Sequence, residues 1–138
     1  MASNPNRYSI KEEFANSITH GIGIVLAIGA SGILVAFAGT YGHPRHVISV
    51  SVYGFTLILL YTASTLYHSI RAPRTKSILQ ILDHAAIYML IAGTYTPFTL
   101  VNLRGPWGWS LFAFVWCLAF IGTAIQFGQM ERWRVVSL

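Results

Sequence analysis

The chain has 138 residues, of which 54% are apolar and only 9% are charged. Average globular domains carry roughly 25% charged residues, and a small soluble domain could not cover its surface with so few. Aromatic residues make up 14% of the chain, which excludes intrinsic disorder because disordered chains are poor in aromatics. The composition therefore indicates an integral membrane protein. The single cysteine, Cys117, lies within an apolar run and allows no internal disulfide.

Four apolar runs follow one another along the chain and predict four membrane-spanning helices. Each is close to the ~20 residues needed to cross ~30 Å of hydrocarbon, and none shows the period-two alternation of a barrel strand. Their approximate bounds are 18–40, 47–69, 78–102 and 107–128. Because the connections are short, successive helices must be antiparallel. Residues 17–130 are therefore predicted to form one all-α transmembrane domain, a polytopic helix bundle.

The basic residues indicate how this domain is oriented. Seven lie on one side of the predicted membrane, namely Arg7, Lys11, Arg71, Arg74, Lys76, Arg132 and Arg134. Only Arg45 and Arg104 lie on the other side. Cytoplasmic flanks carry the excess of Lys and Arg, so the polar segment 1–16 is predicted to be cytoplasmic and the protein to be a multi-pass component of the cytoplasmic (inner) membrane. Residues 131–138 are predicted to be a cytoplasmic end and the start of a fifth span.

The net charge of +5 also raises the question of nucleic acid as a partner. The basic residues form short clusters between apolar runs and never a continuous stripe. The expected partners are therefore membrane lipids and not nucleic acid, while the oligomeric state stays open.

Two features of the spans predict how the helices pack. Small residues are dense in the first span, where they include Gly23 and Gly29, and Gly93 recurs in the third; such residues suit close contact between helices in lipid. Pro97 lacks an amide donor and releases the carbonyl of Gly93, so a kink is expected in the third span.

Ionisable side chains within spans are costly and mark candidate functional sites. Four occur here, and the predicted orientation places all of them at similar depth in one leaflet: His20, His68, Asp83 and His84. Ser64 lies four residues before His68 on the same helical face and could hydrogen-bond the imidazole. Glu12 and Asn16 precede His20 at intervals of four and extend this polar stripe.

Two interpretations of these polar groups stay open from spacing alone. In the first, they pair with one another across helices and have no further role. In the second, they contribute to a divalent metal site, because histidine with carboxylate suits zinc. A second pair, His43 and His46, lies on the opposite side with no third ligand nearby, and Pro44 is expected to disfavour a helix there, so a metal site at that pair is not favoured.

Three sequence blocks, in order and at the span boundaries, resemble the signatures of hemolysin III proteins, which belong to the progestin and adipoQ receptor superfamily. They are residues 12–21 (EEFANSITHG), residues 63–69 (ASTLYHS), and residues 82–88 with 92–97 (LDHAAIY and AGTYTP). The resemblance covers nearly the whole chain. It implies a fold of seven spans with a cytoplasmic N-terminus and a zinc site near the cytoplasmic face.

The resemblance also implies roles for individual residues. His68 matches a zinc ligand, Ser64 the serine one turn before it, and Asp83 the aspartate that approaches the metal through water. The other two histidine ligands belong to the seventh span of the family, and this chain ends before it, so we expect a C-terminally truncated chain whose zinc site is incomplete. The supporting polar shell is expected to comprise Glu12, Asn16, His20 and His84.

The function expected for the complete form is zinc-dependent hydrolysis of a lipid amide, with Asp83 and Ser64 as catalytic groups, His68 as metal ligand and zinc as cofactor. A pore-forming cytolysin is the first alternative, and a receptor or scaffold without chemistry is the second. The polar groups are confined to one leaflet, whereas a pore needs a polar face through the whole bilayer. The chain by itself is expected to be inactive.

Overall fold

The computed structural model describes the backbone of residues 8–136 and the side chains of residues 8–128. This part of the chain is helical and contains no strand. The elements are helix α1 (Ile10–Tyr41), helix α2 (Pro44–Ser69), helix α3 (Pro73–Pro97), a π-helical segment (Phe98–Leu103) and helix α4 (Gly105–Val136). When α3 and the π-helical segment are taken together, these elements form four stretches that are long and apolar enough to cross a membrane. This confirms the all-α, multi-span fold.

Helix α1 begins well before the predicted span, because its first turn is capped. The Ser9 hydroxyl accepts from the Glu12 amide at 3.3 Å, and the Glu12 carboxylate accepts from the Ser9 amide at 2.7 Å. This reciprocal capping box satisfies two amides that would otherwise lack partners. Residues 10–16, predicted as part of a polar segment, are therefore helical, while residues 1–7 lie outside the described residues.

The links between helices are even shorter than predicted. Residues 42–43 join α1 to α2, residues 70–72 join α2 to α3, and Arg104 alone separates the π-helical segment from α4. The expectation that Pro44 disfavours a helix was wrong. Pro44 is the first residue of α2, a position where the missing amide costs nothing and the fixed φ suits the helix.

Pro97 marks an irregularity, as the sequence indicated. Helix α3 ends at this residue and the chain continues as the π-helical segment, a wider turn that changes which carbonyls are bonded.

At the C-terminal end, α4 runs through Val136, so the backbone of residues 131–136 continues α4 and does not begin a new element. The side chains of residues 129–136, with those of Arg132 and Arg134 among them, and residues 137–138 lie outside the described residues.

Within the described residues the helices pack side by side in chain order, each against its neighbours in sequence. Glycines allow the close approaches. A Cβ on Gly23 of α1 would lie 2.5 Å from ring carbons of Tyr61 on α2, and a Cβ on Gly93 of α3 would overlap the Thr56 hydroxyl of α2. Gly29 faces open space. The predicted packing role therefore applies to Gly23 and Gly93 but not to Gly29.

The outward faces of this row are apolar. Large exposed side chains occur on all four helices, among them Val25, Phe55, Ile91 and Phe114. Apolar surface of this extent on a water-soluble protein would cause association, whereas in a bilayer it is the surface that lipid solvates.

Candidate functional site

The polar contacts that join three helices lie at the end of the row where α1 begins, α2 ends and α3 begins. The Glu13 carboxylate on α1 divides its two oxygens between the other helices. Its Oε2 lies 2.7 Å from Nδ1 of His68 on α2, and its Oε1 lies 2.7 Å from Nζ of Lys76 on α3. We call these three residues the Glu13 cluster and this end of the row the Glu13 end; the opposite end is the Arg104 end.

The contact with Glu13 fixes the proton on the His68 ring. An ionised carboxylate only accepts hydrogen bonds, so Nδ1 of His68 carries the proton and donates it to Oε2. In the neutral ring, Nε2 then holds the lone pair and can accept a hydrogen bond or bind a metal ion. A carboxylate behind a histidine in this way fixes its tautomer and raises its basicity as a ligand. The His68 side chain is only 7% exposed.

Lys76 supplies the charge that balances Glu13. Its side chain is almost fully buried, and its Nζ also donates to the Tyr67 carbonyl at 3.2 Å and lies 4.6 Å from the Tyr67 ring centroid. A buried ammonium group is tolerated only with such partners. Because Lys76 neutralises Glu13, the carboxylate can remain ionised while it orients His68.

His20 lies beside the cluster on α1. Its ring centroid is 5.8 Å from that of His68 and 5.8 Å from that of Tyr61, both in edge-to-face arrangements. Its Nδ1 is buried without a hydrogen-bond partner among the described residues. Leaving such an atom unpaired costs about 1–3 kcal/mol, so this nitrogen marks a place where a polar group or ion would be stabilised.

The remaining predicted site residues lie on α2 and α3. Ser64 is buried on α2, one turn before His68, while the hydrogen bond at Nδ1 of His68 goes to Glu13. Asp83 is half-buried on α3, and its carboxylate has no ion pair or hydrogen bond within residues 8–128. His84 donates from Nδ1 to the Gln80 carbonyl at 2.6 Å within the same helix, which leaves its Nε2 with the lone pair when the ring is neutral.

Sequence reasoning selected Glu12 for the polar stripe, and the structure instead brings Glu13 to His68. Glu12 is exposed and caps α1, and Asn16 is half-buried. The residues that face α2 are Glu13, Ser17 and His20, with Ser17 hydrogen-bonded to Ser69 at 2.6 Å. Their spacing of four and then three is the signature of one helical face and could have identified Glu13.

The residues that the structure describes do not assemble a complete metal site. No group of three or more His, Cys, Asp or Glu side chains among them is placed to hold an ion. A zinc centre needs at least three protein ligands. The residues present fit part of such a centre: Nε2 of His68 is oriented so that it could serve as one ligand, and the unpaired nitrogen of His20 lies nearby.

Comparison with known proteins shows the family to which this chain belongs. The haemolysin-III-related family matches residues 8–138. The chain belongs to that family. Hemolysin-3 of Bacillus cereus is 54% identical over 128 residues, and the Hemolysin-3 homolog of Bacillus subtilis (strain 168) is 48% identical over 130 residues. These matches cover 93% and 94% of this chain.

A more distant relative is the human monocyte to macrophage differentiation factor, which is 29% identical over 132 residues and 92% of this chain. The matched part of the chain spans 58%, 61% and 54% of the lengths of these three relatives. No solved structure matches the chain. The resemblance to hemolysin III seen in the sequence blocks is therefore confirmed at the level of the family.

Proposed function

We propose that the complete form of this haemolysin-III-related protein is a zinc-dependent hydrolase of a lipid amide, and that this chain supplies one metal ligand, His68, and the carboxylate Asp83. The observation that carries the proposal is the pairing of His68 with Glu13. A carboxylate that holds Nδ1–H of a histidine is the arrangement found behind metal-binding histidines. Any buried imidazole needs a partner for its N–H, and a carboxylate in that role also raises the basicity of Nε2, which supports a ligand role for His68.

The chain's own residues have distinct tasks in this proposal. Glu13 and Lys76 hold the His68 ring in one tautomer, and His20 packs against it. Asp83, with no ion pair among the described residues, is available to accept a proton from an attacking water. Ser64, buried one turn before His68, would position or polarise the reacting group. Zinc, when bound, would lower the pKa of a water toward ~7 and polarise the amide carbonyl.

The position of these residues supports a lipid substrate. They sit at one end of helices whose outer faces are apolar, so an amide on an acyl chain could approach from the bilayer. The proposed location, a cytoplasmic membrane with the Glu13 end inside, agrees with the excess of Lys and Arg at that end.

The first test measures zinc bound to the purified Bacillus cereus relative after metal loading and dialysis. We expect replacement by alanine of the residue that aligns with His68 to lower the bound zinc, and the matched replacement of the residue that aligns with His46, at the Arg104 end, to leave it unchanged. Equal zinc in the unmodified protein and both variants would remove His68 as a ligand.

The second test measures release of fatty acid from a fluorescent ceramide by the Bacillus cereus relative, with the residues that align with His68 and Asp83 replaced in turn. Loss of turnover in both variants would support the proposed roles. Absence of turnover in the unmodified relative, loaded with zinc, would overturn the hydrolase proposal.

Pore formation is the second candidate function, and the names of the two Bacillus relatives favour it. The Glu13 cluster lies at one end of the helices, whereas a simple pore needs polar groups along its whole length. Dye leakage from liposomes decides between them. Leakage that rises with the protein-to-lipid ratio would support a pore, and intact liposomes at high ratio would reject it.

A further inference from the structure

A second polar region lies at the Arg104 end, far along the helices from the Glu13 cluster. Two adjoining cavities of about 340 and 220 Å³ occur there. Arg45, Leu100 and Arg104 line both cavities, so the two form one continuous depression. Their combined size falls in the lower part of the ~300–1,000 Å³ range of small-ligand pockets.

The walls of the larger cavity contain two side chains that carry positive charge, Arg45 and Arg104. His43 and His46 lie beside them. The four acidic residues of the chain are Glu12, Glu13, Asp83 and Glu131. The first two belong to the Glu13 end, Asp83 lies in the half of α3 nearer that end, and Glu131 lies near the end of α4 on the same side. Within the described residues, the two arginines therefore have no counter-charge.

The hydrogen-bonding state of these side chains favours an anion over a metal ion. Nδ1 of His46 accepts from the His43 amide at 3.1 Å, so the proton of the neutral ring must be on Nε2, which then donates. Among the described residues, Arg104 uses Nε to bond the Val101 carbonyl at 2.8 Å, and both its terminal NH₂ groups stay available as donors. Arg104 and His46 therefore offer donors to the cavity, as does Arg45, and donors are what an anion needs and a cation cannot use.

The smaller cavity adds an apolar wall beside this group of donors. It is lined by Ile48, Leu100 and Trp109 as well as the two arginines. The depression therefore combines a cationic part with an apolar part, at one end of the apolar helices.

We propose that this depression binds a phosphate-bearing anion, with Arg45, Arg104 and His46 as the donors to the phosphate oxygens. Arginine pairs bind phosphate with two parallel hydrogen bonds each. The adjoining apolar wall suits the glycerol and upper acyl carbons of a phospholipid, while free phosphate would use the cationic part alone. The site is independent of the proposed hydrolase activity, since it shares no residue with the Glu13 cluster.

The test compares thermal unfolding of the purified chain in zwitterionic nanodiscs with and without phosphatidylglycerol, and in detergent with sodium phosphate against sodium chloride at equal ionic strength. The test variant is Arg45→Gln/Arg104→Gln. The matched control is Arg71→Gln/Arg74→Gln, which removes the same two charges from exposed positions at the Glu13 end. Arg45→Gln alone is included because Arg104 has a positive φ of 46° and its replacement could disturb the link.

We expect an anion to raise the unfolding temperature of wild type and of the control equally, and to lose at least half of this shift in Arg45→Gln and nearly all of it in the double variant. A shift with phosphatidylglycerol but not with phosphate identifies a lipid headgroup as the source. A shift with phosphate as well identifies the free anion as sufficient. No shift with either ligand, or equal loss in test and control variants, would overturn the proposal.

Discussion

Glu13 holds the Glu13 end of the protein together, because its single carboxylate connects three helices. Its neighbour Glu12 differs by one position and performs only a capping role. Successive residues of a helix point about 100° apart. This rotation directs Glu13 toward His68 and leaves Glu12 exposed.

Removing the charge of Glu13 should destabilise the protein more than removing that of Glu12. Glu13→Gln leaves the ammonium group of Lys76 buried without a counter-charge, and we expect a loss of ~2–3 kcal/mol, below the ~3–5 kcal/mol of fully buried pairs because this end is near water. Thermal unfolding in detergent measures the loss. Glu12→Gln is the control, since glutamine preserves the capping box.

A double variant distinguishes a charge effect from lost packing. Glu13→Gln/Lys76→Met removes both charges and should recover most of the stability lost in Glu13→Gln. If the double variant is as unstable as the single one, the ion pair is not the source of the stability.

The sequence could identify which polar residues lie in this region but not which of them contact one another. His20 and His68 were predicted to share one end of the helices, and the structure brings their rings within 5.8 Å. Lys76 was predicted only as a surface charge that orients the protein, yet it is buried. Burial of a lysine depends on partners from α1 and α2, and the local pattern around Lys76 contains no information about them.

Glycine positions control the separation of the helices at the scale of elements. Gly93→Ala would place a methyl group against the Thr56 hydroxyl and force α2 and α3 apart, so we expect a loss of ~1–3 kcal/mol from overpacking. Gly29→Ala is the matched control, because Gly29 faces open space and alanine is the better helix former. Chemical or thermal unfolding of both variants tests this difference, and equal stability would contradict the packing role of Gly93.

Helix ends were less predictable than helix positions. The apolar runs located all four helices, because the need to span a bilayer leaves a strong pattern in composition. The start of α1 at Ile10 depends instead on the capping hydrogen bonds of Ser9 and Glu12. These residues are polar and precede the apolar run, so the run does not show where the helix begins. Pro44 was assigned to a link, although proline is common at the first position of a helix, which is where it lies in α2.

The excess of basic residues at the Glu13 end makes a prediction for the whole molecule. In a Cys117→Ser background, Asn102→Cys at the Arg104 end should react with a membrane-impermeant thiol reagent on intact cells. Ala72→Cys in the link at the Glu13 end should react only after the membrane is permeabilised. Both substituted residues are exposed in the protein. The reverse labelling pattern would place the N-terminus outside and reject the predicted orientation.

The order in which the helices pack could not be read from periodicity, because every span is apolar on most of its faces. The structure arranges them as a row in which each helix contacts its sequence neighbours within the described residues. Two contacts depart from this order. The π-helical segment also contacts α2, and the Glu13 contact with Lys76 joins α1 to α3 across the end of α2.

This row has a mechanical consequence. Where each element contacts only its neighbours, stability approaches a sum over successive interfaces, as in repeat proteins. Within the described residues, helix α4 contacts α3 and the π-helical segment, so its detachment would break the contacts on that one side. Helix α1 also stands at an edge, but the carboxylate of Glu13 ties it to two partners at once. The two outer helices of the row are therefore attached in different ways. Helix α1 is attached by the ionic contacts of Glu13, whereas α4 is attached by packing and by the hydrogen bond from Trp116 to Thr96.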